Sequence, residues 1–400
     1  MAVDRIGSII KHLAPGSALS TIQSKNDDDV VITLAARTPL TKAGKGGFKD
    51  TSLEFIIFAL LKEVKDRSRL NPALVEDIVL GNVSDDKATY KVRAAALAAG
   101  FPNSHACCSI NRLCASGLAA TADLARAIAC DSIQVGIACG AESMTRSGDR
   151  GTKPLDETVL AHSLEAVDST QPMGWTSENV SRDFGVARDV MDKYAAESFR
   201  RAEAAQREGL FDDEIVPIAT RVKGPDGEWK AVTLSRDEGI RPGTTPEGLS
   251  KIRPAFPQWG PNTTGGNASQ VTDGGQPILA KYVGSTVTGL APRIMGIGPS
   301  IAIPKLLAQH KLSVEDMDVI EVNEAFSSMA VYCRDTLALD WAKMNPRGGA
   351  VALGHPLGAT GVRLVVTGLS ELRRTGGKML LVSMCVGTGM GAAGIFVNEA

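Results

Sequence analysis

The alternation of apolar and polar segments along the chain predicts a layered α/β fold. Short apolar runs bounded by turn residues are typical of buried strands. These runs lie at 29–40, 75–83, 105–110 and 132–144. Segments whose apolar residues have helical spacing lie between and before them, at 51–64, 90–100 and 116–130. Strands that alternate with helices favour a largely parallel sheet covered by helices.

The pattern changes between about 145 and 285, where Pro, Gly, Asp and Thr become more frequent. We interpret this part as an inserted loop domain, with helical stretches such as 189–209 between loops. The alternation then returns in a form that parallels the first half. The stretch 354–391 repeats the order of 114–144: a polar turn, a small-residue helix, a strand and a Gly-rich loop. Two halves related by a pseudo-twofold axis are therefore expected.

This reading gives boundaries for three parts of the chain. We expect a targeting segment and linker at 1–28, a first half at 29–285 that includes the loop domain, and a second half at 286–400. Matching strand-to-helix turns of the two halves would face one cleft. Cys114 and His355 lie in such turns, and Cys385 follows the matching strand.

The N-terminal segment has two pairs of residues on one helical face, because they are seven positions apart. Arg5, Ile6, His12 and Leu13 form the pattern R-I-x₅-H-L, which resembles an N-terminal peroxisomal targeting signal read by an import receptor. A mitochondrial presequence is the alternative. Asp4 and the single arginine in the first twenty residues count against it.

Composition excludes several classes of function. The formal net charge of −2 gives no electrostatic case for binding nucleic acid or an anionic membrane surface. No apolar run reaches the length of a transmembrane helix. The seven cysteines include no C-x-x-C pair, and the five histidines have no metal-binding spacing, so we expect neither a zinc site nor a disulfide framework.

Four residues are candidates for chemistry, and two of them, Cys114 and Asn323, have a structural alternative. Cys114 precedes a helix, whose free N–H groups are expected to lower the pKa of the thiol, although a lone cysteine is more often buried packing. His355, held between Gly and Pro, is a candidate general base. Cys385 is followed by glycines that we read as a loop exposing N–H donors for an oxyanion. Asn323 is a candidate helix N-cap or a holder of water, and the sequence favours the cap.

These segments together resemble the thiolase family, specifically its degradative 3-ketoacyl-CoA thiolases. The resemblance extends from about residue 30 to the C-terminus. Its motifs are NRLCASG, NEAF, GGAVALGHPLGATG and CVGTGMGAA, with KIRPAF (251–256) and GNASQVTDG (266–274) in the middle region. The family implies an α/β thiolase fold of five layers, αβαβα, in which the first half carries an inserted loop domain.

The resemblance also implies roles. It makes Cys114 the acylated nucleophile, His355 its base, Cys385 the second acid/base, and Asn323 the holder of an oxyanion-hole water. Gly387, with Cys114, would supply backbone N–H groups to a second oxyanion hole. Ser269, Met173 and Arg241 would contact coenzyme A. Leu113 and Gly275 depart from the residues usual at their positions, which affects the expected chain-length preference more than the chemistry.

The implied reaction is cleavage of a 3-ketoacyl-CoA by coenzyme A, through an acyl-cysteine, to acetyl-CoA and a shortened acyl-CoA. Coenzyme A is a substrate here, and no metal or redox cofactor is expected. A homodimer in the peroxisome is implied, with the mitochondrion as the alternative. The rival functions are a biosynthetic acetoacetyl-CoA thiolase, a decarboxylating ketoacyl synthase and a non-catalytic CoA-binding or import partner. A ketoacyl synthase would need a second well-placed histidine, and a non-catalytic partner would be expected to lose Cys114, His355 or Cys385.

Overall fold

A computed structural model describes residues 18–146, 155–276 and 281–399. The predicted targeting residues Arg5, Ile6, His12 and Leu13 lie outside these ranges. The strands are β1 (Thr41–Lys42), β2 (Asp77–Gly81), β3 (Ala106–Ile110), β4 (Gly136–Ser143), β5 (Ile218–Lys223), β6 (Trp229–Leu234), β7 (Thr272–Gln276), β8 (Lys281–Gly289), β9 (Val319–Val322), β10 (Met379–Val386) and β11 (Met390–Val397).

Helices of very different lengths connect these strands. Short 3₁₀ turns also lie at Pro72–Leu74 and Pro292–Ile297. The α-helices are α1 (Ala18–Gln23), α2 (Leu53–Ser68), α3 (Ala88–Ala98), α4 (Ser116–Ala129), α5 (Glu157–Leu160), α6 (Leu164–Asp168), α7 (Met173–Asp183), α8 (Arg188–Arg207), α9 (Pro246–Ser250), α10 (Gly298–His310), α11 (Ser327–Thr336), α12 (Ala350–Leu353) and α13 (Leu357–Thr375).

The two halves have the same sheet topology. The first sheet has the order β1-β7-β4-β2-β3, and the second has the order β8-β11-β10-β9. In the first sheet, β4 pairs antiparallel with β7 and parallel with β2. In the second sheet, β10 pairs antiparallel with β11 and parallel with β9. Beside β9, at the position that β3 takes beside β2 in the first sheet, the second sheet has a single parallel bridge between Ile320 and Met344. The predicted internal repeat is therefore confirmed.

Five layers follow from the way these sheets pack. Helices α2 and α3 cover the outer face of the first sheet, and α10 and α11 cover the outer face of the second. Helices α4 and α13 form the layer between the sheets. A Cβ atom on Gly117 would lie 2.7 Å from a methyl group of Val362, and one on Gly361 would lie 2.4 Å from the backbone N of Leu118. Glycines thus let the two central helices touch.

The segment expected to form the loop domain lies between two strands of the first sheet. Residues 144–271 separate β4 from β7 and contain α5 to α9 and the β5–β6 hairpin. β7 pairs with β4 in the first sheet, and β8 pairs with β11 in the second. The Gly-rich stretch TDGGQ, which the expected loop domain at about 145–285 includes, is a strand of the first sheet.

Two expectations are corrected. The run 29–40 is not one strand, because its backbone pairs with two different partners: Val30 with Tyr282, and Arg37 with Glu214 and Val216. Of the terminal glycines, Gly387 and Gly389 lie in the turn between β10 and β11, as expected, whereas Gly391 and Gly394 lie in β11. A Cβ atom on Gly391 would lie 2.3 Å from the carbonyl oxygen of Gly298, so glycine allows α10 to approach this strand.

Candidate active site

Cys114 lies in a tight turn between β3 and α4. Leu113 has a φ of 48°, in the left-handed region. The hydroxyl of Ser116 accepts from the N–H of Arg112 at 2.9 Å and donates to the carbonyl of Leu113 at 2.5 Å. These contacts close the turn and leave the sulfur of Cys114 facing the second half, where it accepts from the N–H of Gly387.

The predicted lowering of the Cys114 pKa is wrong. Burial raises the pKa of this thiol to about 11, and the hydrogen bonds from the N–H groups of Gly387 and Cys114 offset only part of that cost. The nearby carboxylate of Glu142 raises it further. Cys114 also lies two positions before the first residue of α4, outside the turn where the helix dipole acts most strongly. The free protein therefore holds Cys114 as a neutral thiol.

His355 lies in the turn between α12 and α13, where one contact fixes its backbone and two fix its ring. Its backbone N–H donates to the carbonyl of Gln270 at 2.8 Å. Its Nδ1 lies 2.6 Å from the hydroxyl oxygen of Thr360, and its Nε2 lies 3.4 Å from the amide nitrogen of Asn323. Burial, with the nearby Arg363 cation, lowers the pKa of the imidazole to about 3. A neutral ring at physiological pH can accept a proton from a thiol.

Asn323 follows β9 and is not a helix N-cap. Helix α11 begins at Ser327 with Phe326 as its cap, and no side chain caps it. The Asn323 backbone donates to Ser383, which directs the amide toward His355. Its buried Oδ1 has no hydrogen-bond partner. Glu324 holds the loop from the other side by accepting from several donors, which are Tyr194, Ser198, Asn345 and Val351.

Cys385 lies within β10, one residue before its end, and Gly387 follows the strand. The Cys385 sulfur is 4.0 Å from the sulfur of Met329, in an apolar cluster. Burial and the neighbouring Cys114 raise the pKa of the Cys385 thiol well above its usual value. A Cβ atom on Gly387 would lie 3.1 Å from Leu113, so glycine permits the close approach of this turn to the Cys114 loop.

The three residues expected to contact coenzyme A differ in position. Ser269 lies beside the site, because its N–H donates to Ala325 at 3.0 Å. Met173 begins α7 and packs against the cluster that contains Cys385. Arg241 is exposed, and its guanidinium lies over the ring of Phe199, 5.5 Å from its centroid. The structure brings Ser269 and Met173 to the catalytic candidates and leaves Arg241 with α8.

Sequence reasoning missed residues that organise the site. Thr360 and Gln270 hold His355, and Glu142 holds the turn that follows it. A signal existed for Glu142, which ends a strand of small and apolar residues, where a buried carboxylate needs hydrogen-bond donors. Thr360 and Gln270 carried no such signal.

Within 18–146, 155–276 and 281–399, no cluster of three or more His, Cys, Asp or Glu side chains could hold a metal ion. Over the same ranges, none of the helices combines the length and apolar character that crossing a bilayer requires. All seven cysteines are free.

Comparison with known proteins places the chain in a family. The model of the thiolase N-terminal domain matches residues 30–280, and that of the thiolase C-terminal domain matches residues 276–398. The chain belongs to the thiolase family. It is 45% identical over 416 residues to the peroxisomal 3-ketoacyl-CoA thiolase of Yarrowia lipolytica, covering 99% of this chain and 100% of that protein.

Solved structures of thiolases have the same fold. The dimeric peroxisomal thiolase of Saccharomyces cerevisiae superposes with a TM-score of 0.86 at 42% identity, covering 95% of this chain and 100% of that one. Human mitochondrial 3-ketoacyl-CoA thiolase in complex with CoA gives a TM-score of 0.81 at 36% identity, covering 93% and 98%. The five-layer thiolase fold predicted from the sequence is therefore confirmed.

Proposed function

We propose that this thiolase is a peroxisomal 3-ketoacyl-CoA thiolase that performs the last step of fatty acid β-oxidation. It transfers an acyl group to coenzyme A and releases acetyl-CoA. The observation that carries the proposal is a set of contacts at the junction of the two halves. The N–H of Gly387, two residues after Cys385, donates to Cys114, and Asn323 contacts a neutral His355. The 45% identity to a peroxisomal 3-ketoacyl-CoA thiolase over nearly the whole chain supports the same conclusion.

In the first half-reaction, Nε2 of His355 takes the proton of Cys114, and the thiolate attacks the 3-keto carbon. The oxyanion that forms accepts from the N–H groups of Cys114 and Gly387. The bond between C2 and C3 then breaks, which leaves an acyl-Cys114 and the enolate of acetyl-CoA. His355 and a water held by Asn323 stabilise the enolate oxygen. Cys385 gives its proton to the enolate carbon and becomes a thiolate.

In the second half-reaction, the Cys385 thiolate takes the proton of coenzyme A. The CoA thiolate attacks the acyl carbon, and the bond to Cys114 breaks. The Cys114 thiolate recovers its proton from the His355 imidazolium, so the enzyme returns to its starting state. A covalent intermediate between two substrates gives ping-pong kinetics. Coenzyme A is the second substrate, and Ser269, Met173 and Arg241 are proposed to contact it.

The thiolase is a homodimer of the peroxisomal matrix in this proposal. Relatives named peroxisomal and the dimeric yeast structure support both statements. We propose that an import receptor reads Arg5, Ile6, His12 and Leu13. The biosynthetic acetoacetyl-CoA thiolase is the less favoured alternative, because the Bacillus anthracis acetyl-CoA acetyltransferase is 34% identical, against 41–45% for the peroxisomal 3-ketoacyl-CoA thiolases.

CoA-dependent thiolysis by the purified protein tests the function. The values of kcat/KM on acetoacetyl-CoA and on a long-chain 3-ketoacyl-CoA are compared, with Cys114→Ala as the control. A preference for the long chain that disappears in the variant is expected. Cleavage of the four-carbon substrate alone would favour the acetoacetyl-CoA enzyme. Turnover of neither substrate would refute the thiolase activity.

A further inference from the structure

Glu142 joins the two halves at the turn that carries His355. It lies at the end of β4, and its side chain is fully buried. Oε2 accepts from the N–H of Gly358 at 3.0 Å and from the N–H of Val83 at 3.0 Å. Oε1 accepts from the N–H and the hydroxyl of Ser84 and from the amide of Asn82. The Glu142 carboxylate, in the first half, thus binds the first turn of helix α13, in the second half.

The contact with Gly358 replaces a cap that α13 lacks. Pro356 is the N-cap residue of α13 and forms no side-chain hydrogen bond to it. A carboxylate at a helix N-terminus satisfies a free N–H group and interacts favourably with the helix dipole. Gly358 is three residues after His355, so the carboxylate that holds this N–H also fixes the backbone of the His355 turn.

The surroundings of Gly358 leave little freedom for any other arrangement. A Cβ atom there would lie 2.7 Å from Cα of Asn82. The carbonyl oxygen of Gly358 would be 2.8 Å from a Cβ on Gly117 and 2.6 Å from one on Gly140. Gly117 is in the first turn of the helix that follows Cys114. The contact that Glu142 locks is therefore the one that sets the spacing between the Cys114 turn and the His355 turn.

We propose that Glu142 is a positioning residue that holds His355 in register with Cys114. It does not touch the reacting atoms and acts through the Gly358 N–H. The proposal rests on the roles assigned to Cys114 and His355 in the proposed function. A change in this register reduces proton transfer from the thiol, because general-base catalysis requires hydrogen-bond distance between the two groups.

Two variants distinguish the effect of the length of the Glu142 side chain from the effect of its negative charge. Glu142→Asp keeps the carboxylate and shortens its reach by one methylene, whereas Glu142→Gln keeps the length and removes the charge. Glu214→Gln is the matched control. Glu214 is a fully buried carboxylate that accepts from Arg37 at 2.5 Å and from Thr367 at 3.0 Å, farther along the same helix α13. All proteins are compared below their thermal transitions, with folding checked by circular dichroism.

Two readouts are measured for each variant. The first is the rate of iodoacetamide reaction at Cys114, followed by mass spectrometry of its peptide, which needs no CoA substrate. The second is kcat and KM for thiolysis. Both Glu142 variants are expected to lower the alkylation rate and kcat by about tenfold or more while KM changes little. Glu214→Gln is expected to stay within about twofold of the wild type once folded.

Wild-type rates in a folded Glu142→Asp protein would overturn the proposal, because reach would then be irrelevant. Faster alkylation in Glu142→Gln with unchanged kcat would also overturn it, since Glu142 would then act only through its charge on Cys114. Should Glu142→Gln fail to fold, Glu142→Asp decides alone. A wild-type protein without thiolysis refutes the proposed function, and the alkylation rates still test the role of Glu142.

Discussion

The hydroxyl oxygen of Thr360 lies 2.6 Å from Nδ1 of His355. This contact occupies one ring nitrogen and leaves Nε2 for Asn323 and for the proton of Cys114 in the proposed reaction. Thr360→Val keeps the shape of the side chain and removes the hydroxyl, so the ring loses its fixed orientation. We expect kcat for thiolysis to fall about tenfold with little change in KM. Thr360→Ser, which keeps the hydroxyl, should retain most of the activity.

Thr367→Val is the control for this prediction. Thr367 lies on the same helix, is also buried, and donates to Glu214 and not to the site. It is expected to lower thermal stability without lowering kcat of the folded protein. Equal losses of kcat in Thr360→Val and Thr367→Val would show that the effect comes from the helix and not from the imidazole.

The free thiolase is predicted to hold a thiol and a neutral imidazole, and not an ion pair. The pKa of Cys114 is raised to about 11 and that of His355 is lowered to about 3. Titration of ultraviolet thiolate absorbance in the wild type and in Cys114→Ala measures the difference. We expect the difference to be absent at neutral pH and to appear only in the alkaline range. A difference already present at neutral pH would contradict this assignment.

His355 also makes stability depend on pH. Between its ordinary pKa of 6.5 and its folded pKa of about 3, the unfolded chain binds a proton at residue 355 and the folded chain does not. Protons therefore favour unfolding in this window, and stability is lost as pH falls through it. From about pH 6 to about pH 4.5, this residue should remove about 2 kcal/mol from the free energy of unfolding.

Urea unfolding of the wild type and His355→Gln at matched protein concentration measures this term. The glutamine variant has no titrating group at this position, so it should lose less stability over the same interval. Parallel losses in the two proteins would mean that His355 does not titrate differently in the folded and unfolded states.

Cys385 and Cys333 offer a matched pair of buried thiols. Cys385 lies two residues before Gly387, whose N–H donates to Cys114, whereas Cys333 lies in α11 with its sulfur near the carbonyl of Gly296. Cys385→Ala is expected to lower kcat by about 10²-fold or more, because both half-reactions use its proton. Alkylation of Cys114 should continue in that variant. Cys333→Ala should retain kcat, and a comparable loss there would assign the effect to packing around α11.

Asn323 is predicted to act in the reaction and not in folding. Its buried Oδ1 has no partner, whereas the side chain of Asn345 bonds both the N–H and the carbonyl of Val322. Asn323→Ala should therefore lower kcat about tenfold or more with a small change in melting temperature. Asn345→Ala should do the reverse. A large stability loss in Asn323→Ala would restore a structural role for this residue.

The sequence predicted the parts of this molecule that depend on local pattern and repetition. Helices at 51–64 and 116–130 and the strand at 105–110 lie close to α2, α4 and β3, because each has a clear period and turn residues at its ends. The repeat predicted that Cys114 and His355 would meet. Their chemical state was not predictable, since the pKa of Cys114 depends on burial by residues from the other half.

The errors have a common physical origin in long-range contacts. Gly391 and Gly394 resemble loop residues in sequence, but they lie in β11 beside α10 and the central helices. Asn323 resembles a helix N-cap in sequence, but its side-chain amide contacts His355, which lies in another turn. In both cases the partner is distant along the chain, so no local pattern reports it.

The direct contact of α4 with α13, through Gly117 and Gly361, has a consequence for how the enzyme fails. The proposed nucleophile, Cys114, belongs to one half and its proposed base, His355, to the other, so we expect neither half to be active alone. A partial separation of α4 from α13 would abolish turnover while each sheet kept its hydrogen bonds. Loss of activity should thus precede loss of secondary structure in mild denaturant, which makes the turnover rate a sensitive gauge of whether the halves are docked.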